Sequence, residues 1–183
     1  VFVLLGLVVL PLFYSARLGD QSQQSVGWLS PPPVARAIDE YRSIGWALSE
    51  DGRLRVFNVK DGKLIHEERL FENARVTAAS LSFEGEQVAF GFADGKVRLG
   101  TIRFETSFQE KRDVPEHLHS LAEGDSAVWN DGVVQVTPKG QFRLQQVVPE
   151  LMEAVSVADA AIVKLDHTYP DDSQGILSGK EYQ

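Results

Sequence analysis

The chain has no cysteine among its 183 residues. Without a thiol there is no disulfide framework, no thiolate zinc site and no cysteine nucleophile, and the redox compartment leaves no mark on the sequence. Basic charge is also in short supply: 18 Lys and Arg face 26 Asp and Glu, a formal net charge of −8. The acidic residues are spread along the chain, and their field repels nucleic acid and anionic headgroups, so nucleic acid is not expected as a partner. A Gly-rich phosphate loop, a G-x-S-x-G elbow and an H-E-x-x-H motif are all missing. No catalytic, cofactor-binding or metal-binding residue is assigned, ligand-binding positions stay open, and the chain is not expected to be an enzyme.

Long apolar runs occur once. Residues 1–13 read VFVLLGLVVLPLF, followed by Tyr14, Ser15, Ala16 and Arg17. As a helix this run covers about 20 Å, against roughly 30 Å for a bilayer core. The expectation is the C-terminal part of a transmembrane helix over 1–18, its first turns upstream of Val1, with Tyr14 and Arg17 at the interface. A buried core element and a signal peptide are the other readings of the run. Residues 19–36 include GDQSQQSVGWLSPPP, a polar stretch closed by three prolines. It cannot continue a helix and is expected to be a stiff linker.

From Tyr41 onward, short runs of β-branched and aromatic residues alternate with Asp-Gly pairs at Asp51-Gly52, Asp61-Gly62, Asp94-Gly95 and Asp131-Gly132. Asp-Gly between apolar runs is a hairpin signal, because both turn positions accept positive φ. Residues 49–56 (SEDGRLRV) align with 92–99 (FADGKVRL) at an offset of 94 − 51 = 43, and with 129–136 (WNDGVVQV) at a further 131 − 94 = 37. Spacings near 40 suit propeller blades of four antiparallel strands. The predicted strands are 44–49, 53–58 and 64–69, then 77–83, 87–92 and 97–104, then 127–129, 133–137 and 142–148, with 155–165 opening another unit. The fold expected is all-β: an incomplete propeller over 37–183, about three to four blades, whose ring needs sequence beyond Gln183 to close.

The stretch from Val76 to Leu99, with its GFADGKVRL segment, resembles a WD-repeat blade, although the Gly-His pair is absent and Gly100-Thr101 stands at the closing Trp-Asp position. The arrangement as a whole is similar to the long-form permease subunits of bacterial phosphate ABC transporters. The residues that carry the likeness are the VLPLF helix end, the polar spacer, Ala37-Ile38-Asp39-Glu40-Tyr41-Arg42, DGRLRVF at 51–57 and VRLGTIRFE at 97–105. The resemblance implies a propeller-like domain after a first transmembrane helix, on the periplasmic side of a bacterial inner membrane. It implies docking, sensing or bracing in phosphate uptake, with a periplasmic solute-binding protein and other transporter subunits as partners. The alternative is a membrane-anchored propeller scaffold for protein–protein interaction or envelope assembly; a cytosolic interaction propeller is a third reading.

A few residues invite chemistry. His117 and His119, two apart, would share one face of a strand and could bind a metal, but the flanking Pro115-Glu116 and Glu123-Gly124-Asp125 read as a solvated loop. Asp166, His167, Asp171 and Asp172 lack calcium-loop spacing and read as an exposed loop. Glu67-Glu68 reads as surface at a strand end. Trp46, Trp129 and Phe57 are expected in the core, and Trp28, beside the prolines, at an interface.

Overall fold

Strand-forming runs closed by Asp-Gly turns dominate the computed structural model, which describes residues 26–29, 31–82, 86–168 and 175–178. The apolar run expected to enter a membrane lies outside the described residues, and no helix among them is long and apolar enough to cross a bilayer. Strands β1 (Ala35–Ile38), β2 (Ile44–Leu48), β3 (Arg53–Asn58) and β4 (Leu64–Arg69) pair antiparallel in chain order. β3 alternates, turning Leu54, Val56 and Asn58 inward, as a strand with one covered face requires. β2 is buried along its whole length. β1 begins inside the expected 19–36 linker, with Ala35 buried in the core.

The second sheet takes β5 (Val76–Leu81), β6 (Gln87–Phe92), β7 (Lys96–Gln109), β8 (Ser126–Trp129), β9 (Gly132–Val136), β10 (Phe142–Leu151) and β11 (Val155–Ser156). Its order is β5-β6-β7-β10-β9-β8, with β11 paired to β7. β5, β6, the first half of β7 and the β10 end with β11 repeat the four-strand meander of the first sheet. The two sheets pack face to face: Trp46, Leu48, Leu54 and Val56 meet Val88, Phe90, Phe92 and Ile102 in one core. Phe71, on the crossing between the sheets, sets its ring edge-on to Phe90 and Phe92 at 5.3 and 4.9 Å. Each such side chain, fully buried, stabilises by about 1.5–3 kcal/mol.

On the far face of the second sheet, Ile162 and Leu165 pack against Ala78, Ala89 and Val97. Leu165 opens β12 (Leu165–Thr168), which pairs with β13 (Gly175–Ser178). A two-stranded sheet therefore starts at Leu165, whereas the unit expected to open over 155–165 does not: Val155–Ser156 pairs with β7 in the second sheet.

The third blade expected from 127–129, 133–137 and 142–148 does not form as a separate sheet. β8 and β9 join the second sheet through β10, whose ten-residue ladder with β7 starts at Phe142↔Gln109 and ends at Leu151↔Gly100. Residues 105–146 are an insertion between the third and fourth strands of the second meander. The turns explain the false repeat. Gly52 and Gly95 carry positive φ (+80° and +81°) while Asp51 and Asp94 do not, so these loops close on the glycine alone. In the third copy the positive-φ pair is Asn130 and Asp131, one residue earlier. Gly132 is already in β9, where a Cβ would meet the Gln145 carbonyl oxygen at 2.2 Å. The same letters thus serve a different turn.

Candidate functional site

Where the crossing between the sheets meets the start of β7, the surface folds into a cleft of about 360 Å³. Leu70, Phe71, Ala74, Phe92 and Ala154 supply apolar wall; Glu72, Asp94, Lys96 and Arg98 supply charge. Lys96 donates to Asp94 at 2.7 Å. That bond holds the Asp94 carboxyl below its ordinary value of 3.8. The Arg98 guanidinium stands over the Phe71 ring at 5.4 Å. Its Nε is sealed from solvent and meets no acceptor among the described residues.

A second feature is the insertion. Along β7 the main chain bonds alternately to its two neighbours: Met152 N–H donates to Leu99 O at 2.8 Å, and Ile102 N–H donates to Glu86 O at 2.7 Å. Even-numbered residues therefore face the β6 side. β6 stops pairing at Gln87↔Thr101, so the main-chain groups of Phe104, Thr106 and Phe108 point to an edge that no strand covers among the described residues. The Phe108 side chain is 61% exposed.

The insertion is tied back onto the first sheet. Val133 is fully buried in the shared core. Gln145, buried, donates through Nε2 to Asp39 Oδ2 at 2.7 Å and meets Ser43 Oγ. The Arg143 guanidinium lies 3.7 Å from the centre of the Tyr41 ring. At the outer side, Lys60 approaches Asp125 at 3.9 Å and His66 Nδ1 approaches Asp131 at 3.7 Å.

The residues singled out by sequence fall as follows. His117 and His119 lie in a 3-10 turn, Glu116–Ser120, and not on a strand. At three residues per turn, neighbours two apart diverge by about 120°. His119 Nε2 is 2.8 Å from the Val114 carbonyl and its ring packs near Phe142, while His117 is exposed. Asp166 is exposed on β12, and Asp171 and Asp172 lie outside the described residues. Glu67 pairs with Arg55 at 2.6 Å and Arg53 at 3.4 Å on the outer face of the first sheet. Trp46 is fully buried; Trp129 and Phe57 are half-buried. Trp28 packs within the chain: its Nε1 donates to Gly62 O at 3.0 Å and its ring lies 5.3 Å from Phe57. Trp28, within the stretch expected as a stiff linker, is thereby docked on the β3–β4 turn and β3. Arg98 was visible as a repeated arginine, but its lack of an acceptor depends on Phe71 and Phe92 and is not a sequence property.

No protein-family model and no curated protein matches the chain. Among solved structures, it is similar to the C-terminal WD40 domain of Sif2 (15% identity over 65% of this chain and 35% of that one, TM-score 0.31). It is likewise similar to the Myceliophteria thermophila Cps50 (Swd1) beta-propeller domain (11%, 80% and 50%, TM-score 0.35). Kluyveromyces lactis Hsv2 is a third (14%, 82% and 47%, TM-score 0.28). The chain spans between about a third and a half of the length of these structures. At these scores the global shapes diverge, and the description of the sheets as blade-like rests on their own pairing and packing.

Proposed function

We propose that the chain is a non-catalytic interaction scaffold: propeller-type sheets presenting an inserted arm, held at a membrane by the apolar segment before them. The edge of β7 over residues 104–108, which no strand covers among the described residues, carries the reading. Proteins usually shorten, charge or cover such an edge. An extended segment of a partner adds to it through main-chain hydrogen bonds, and alternate side chains such as Phe108 choose the partner.

The test is photocrosslinking from a benzophenone amino acid at Phe108, with exposed Lys139 as control, in membranes containing the full chain. A crosslinked partner is expected from Phe108 alone, and it should vanish with Thr106→Pro, which removes one edge N–H and spares the β10 ladder. No product from Phe108, or one that survives Thr106→Pro, sinks the edge reading. Alkaline carbonate extraction tests the anchor separately: the chain should stay with the membranes and be released when residues 1–18 are removed. A periplasmic position beside a transporter rests on the permease resemblance alone and belongs to this proposal.

A further inference from the structure

We infer that the cleft where the crossing between the sheets meets the start of β7 binds a carboxylate carried on an apolar group, with Arg98 as the residue that recognises it. The first sheet shows what an arginine at this repeat position requires. Arg55 and Arg98 are equivalent, since 98 − 55 = 43, the repeat offset. Arg55 donates to Glu67 Oε2 at 2.6 Å and to Ser49 Oγ at 2.6 Å, which satisfies its guanidinium with a carboxylate and a hydroxyl. In the second sheet the position of Ser49 is taken by Phe92, since 92 − 49 = 43. Opposite Arg98 the ladder is interrupted between β10 and β11: Ala154 lines the cleft, while Glu153 is exposed and forms no ion pair among the described residues.

Arg98 therefore forms no ion pair among the described residues, and its sealed Nε meets no acceptor. Contact with the Phe71 ring holds the guanidinium plane but accepts none of its hydrogen bonds. Arg98 lines the cleft without a carboxylate partner, and a carboxylate entering the cleft supplies the charge-assisted bond that Glu67 supplies to Arg55. Wall charge decides between anions. Asp94 is neutralised by Lys96, and Glu72 stands exposed at the rim, so the four charged side chains sum to zero. A monoanion matches the one wall cation left unpaired among the described residues, Arg98, whereas the second charge of a dianionic phosphate finds none. At about 360 Å³ the cleft is at the small end of ligand sites, and its apolar wall of Leu70, Phe71, Ala74 and Phe92 suits an aliphatic group attached to the carboxylate. The inference uses none of the β7 edge, so either can fail alone.

The experiment is a titration of the full chain followed by nitrogen–proton correlation spectra, with hexanoate and its uncharged counterpart hexanamide as probes. Hexanoate should shift the Arg98 Nε–H resonance and the amides of residues 70–74 with a Kd of about 1 mM, and hexanamide should not. Arg98→Gln should weaken hexanoate at least about tenfold, and Glu72→Gln should tighten it about twofold by removing a competing charge. A parallel titration with acetyl-Ala-Leu-Glu-Leu-Ala-amide and its Gln counterpart separates the sources. Tighter binding of the Glu peptide than of hexanoate assigns the carboxylate to a protein side chain, and the reverse assigns it to a free acid. Should Arg98→Gln fail to fold, the hexanoate–hexanamide contrast and Glu72→Gln decide the matter. Absence of shifts from both hexanoate and the Glu peptide, equal shifts from the uncharged probes, or unchanged binding in folded Arg98→Gln overturns the inference.

Discussion

Asp39 is 4% exposed and accepts hydrogen bonds from Tyr41 N, Ser43 N, Ser43 Oγ, Ile44 N and Gln145 Nε2. The local donors fold the β1–β2 connection around the carboxylate; Gln145 joins that connection to the insertion. Removing the carboxylate leaves several buried donors without an acceptor, a larger loss than that of one exposed bond. Asp39→Ala is expected to destabilise by about 3 kcal/mol, read as a lower urea midpoint. Asp39→Asn should cost clearly less. Its carbonyl keeps the Ser43 and Ile44 amides, and Gln145 can turn its amide over to receive the new N–H. Equal losses for Ala and Asn would show that the site acts by packing alone. The local half of this site lies in the Ala37–Arg42 segment that sequence reading had set apart for a resemblance. The other half stands 106 residues away and has no local signature.

At the scale of elements, strands and hairpins were legible because alternation and turn chemistry are local. The three strands expected in each of the first two units are β2–β4 and β5–β7, within a few positions, while β1 and the β10 end that complete the two meanders were not expected there. Turn type was not legible, since Asp-Gly fits loops that close on the glycine and loops that close one residue earlier. Gly95 shows what the turn contributes beyond its conformation. Its φ is +81°, and a Cβ would lie 1.9 Å from the Ala158 carbonyl oxygen. Ala158 N–H and Val157 N–H both donate to Gly95 O at 3.1 Å, so the segment leading to β12 is docked on this turn. Gly140 has φ +72° with nothing within 4 Å of a built Cβ, and so isolates the conformational part. Gly140→Ala is expected to cost about 1 kcal/mol, and Gly95→Ala about 2–4 kcal/mol, with faster amide exchange over residues 157–165. The comparison is made by chemical denaturation, and equal costs would mean that docking on the turn adds nothing.

For the whole molecule, the decisive feature is that a region resembling a third repeat became part of the second sheet. Spacing alone hinted at this, since the second interval was 37 and not 43, but the pairing of β7 with β10 spans more than thirty residues of intervening chain and follows from no local pattern. The insertion then meets the first sheet through Val133, the Asp39–Gln145 bond and Arg143 over Tyr41. It should therefore brace a sheet to which it is joined by no main-chain ladder. Replacing residues 106–145 with an Asn-Gly turn joins Glu105 directly to Gln146, its hydrogen-bonded ladder partner, and leaves the second meander closed. The shortened chain is expected to fold with the second sheet protected from amide exchange. The β1–β2 connection should exchange at least about tenfold faster, because it loses a buried acceptor pair and an apolar contact of the core. Unchanged protection over residues 39–48 would show that the insertion merely lies against the first sheet. In that case its sole remaining structural consequence would be the open edge of β7.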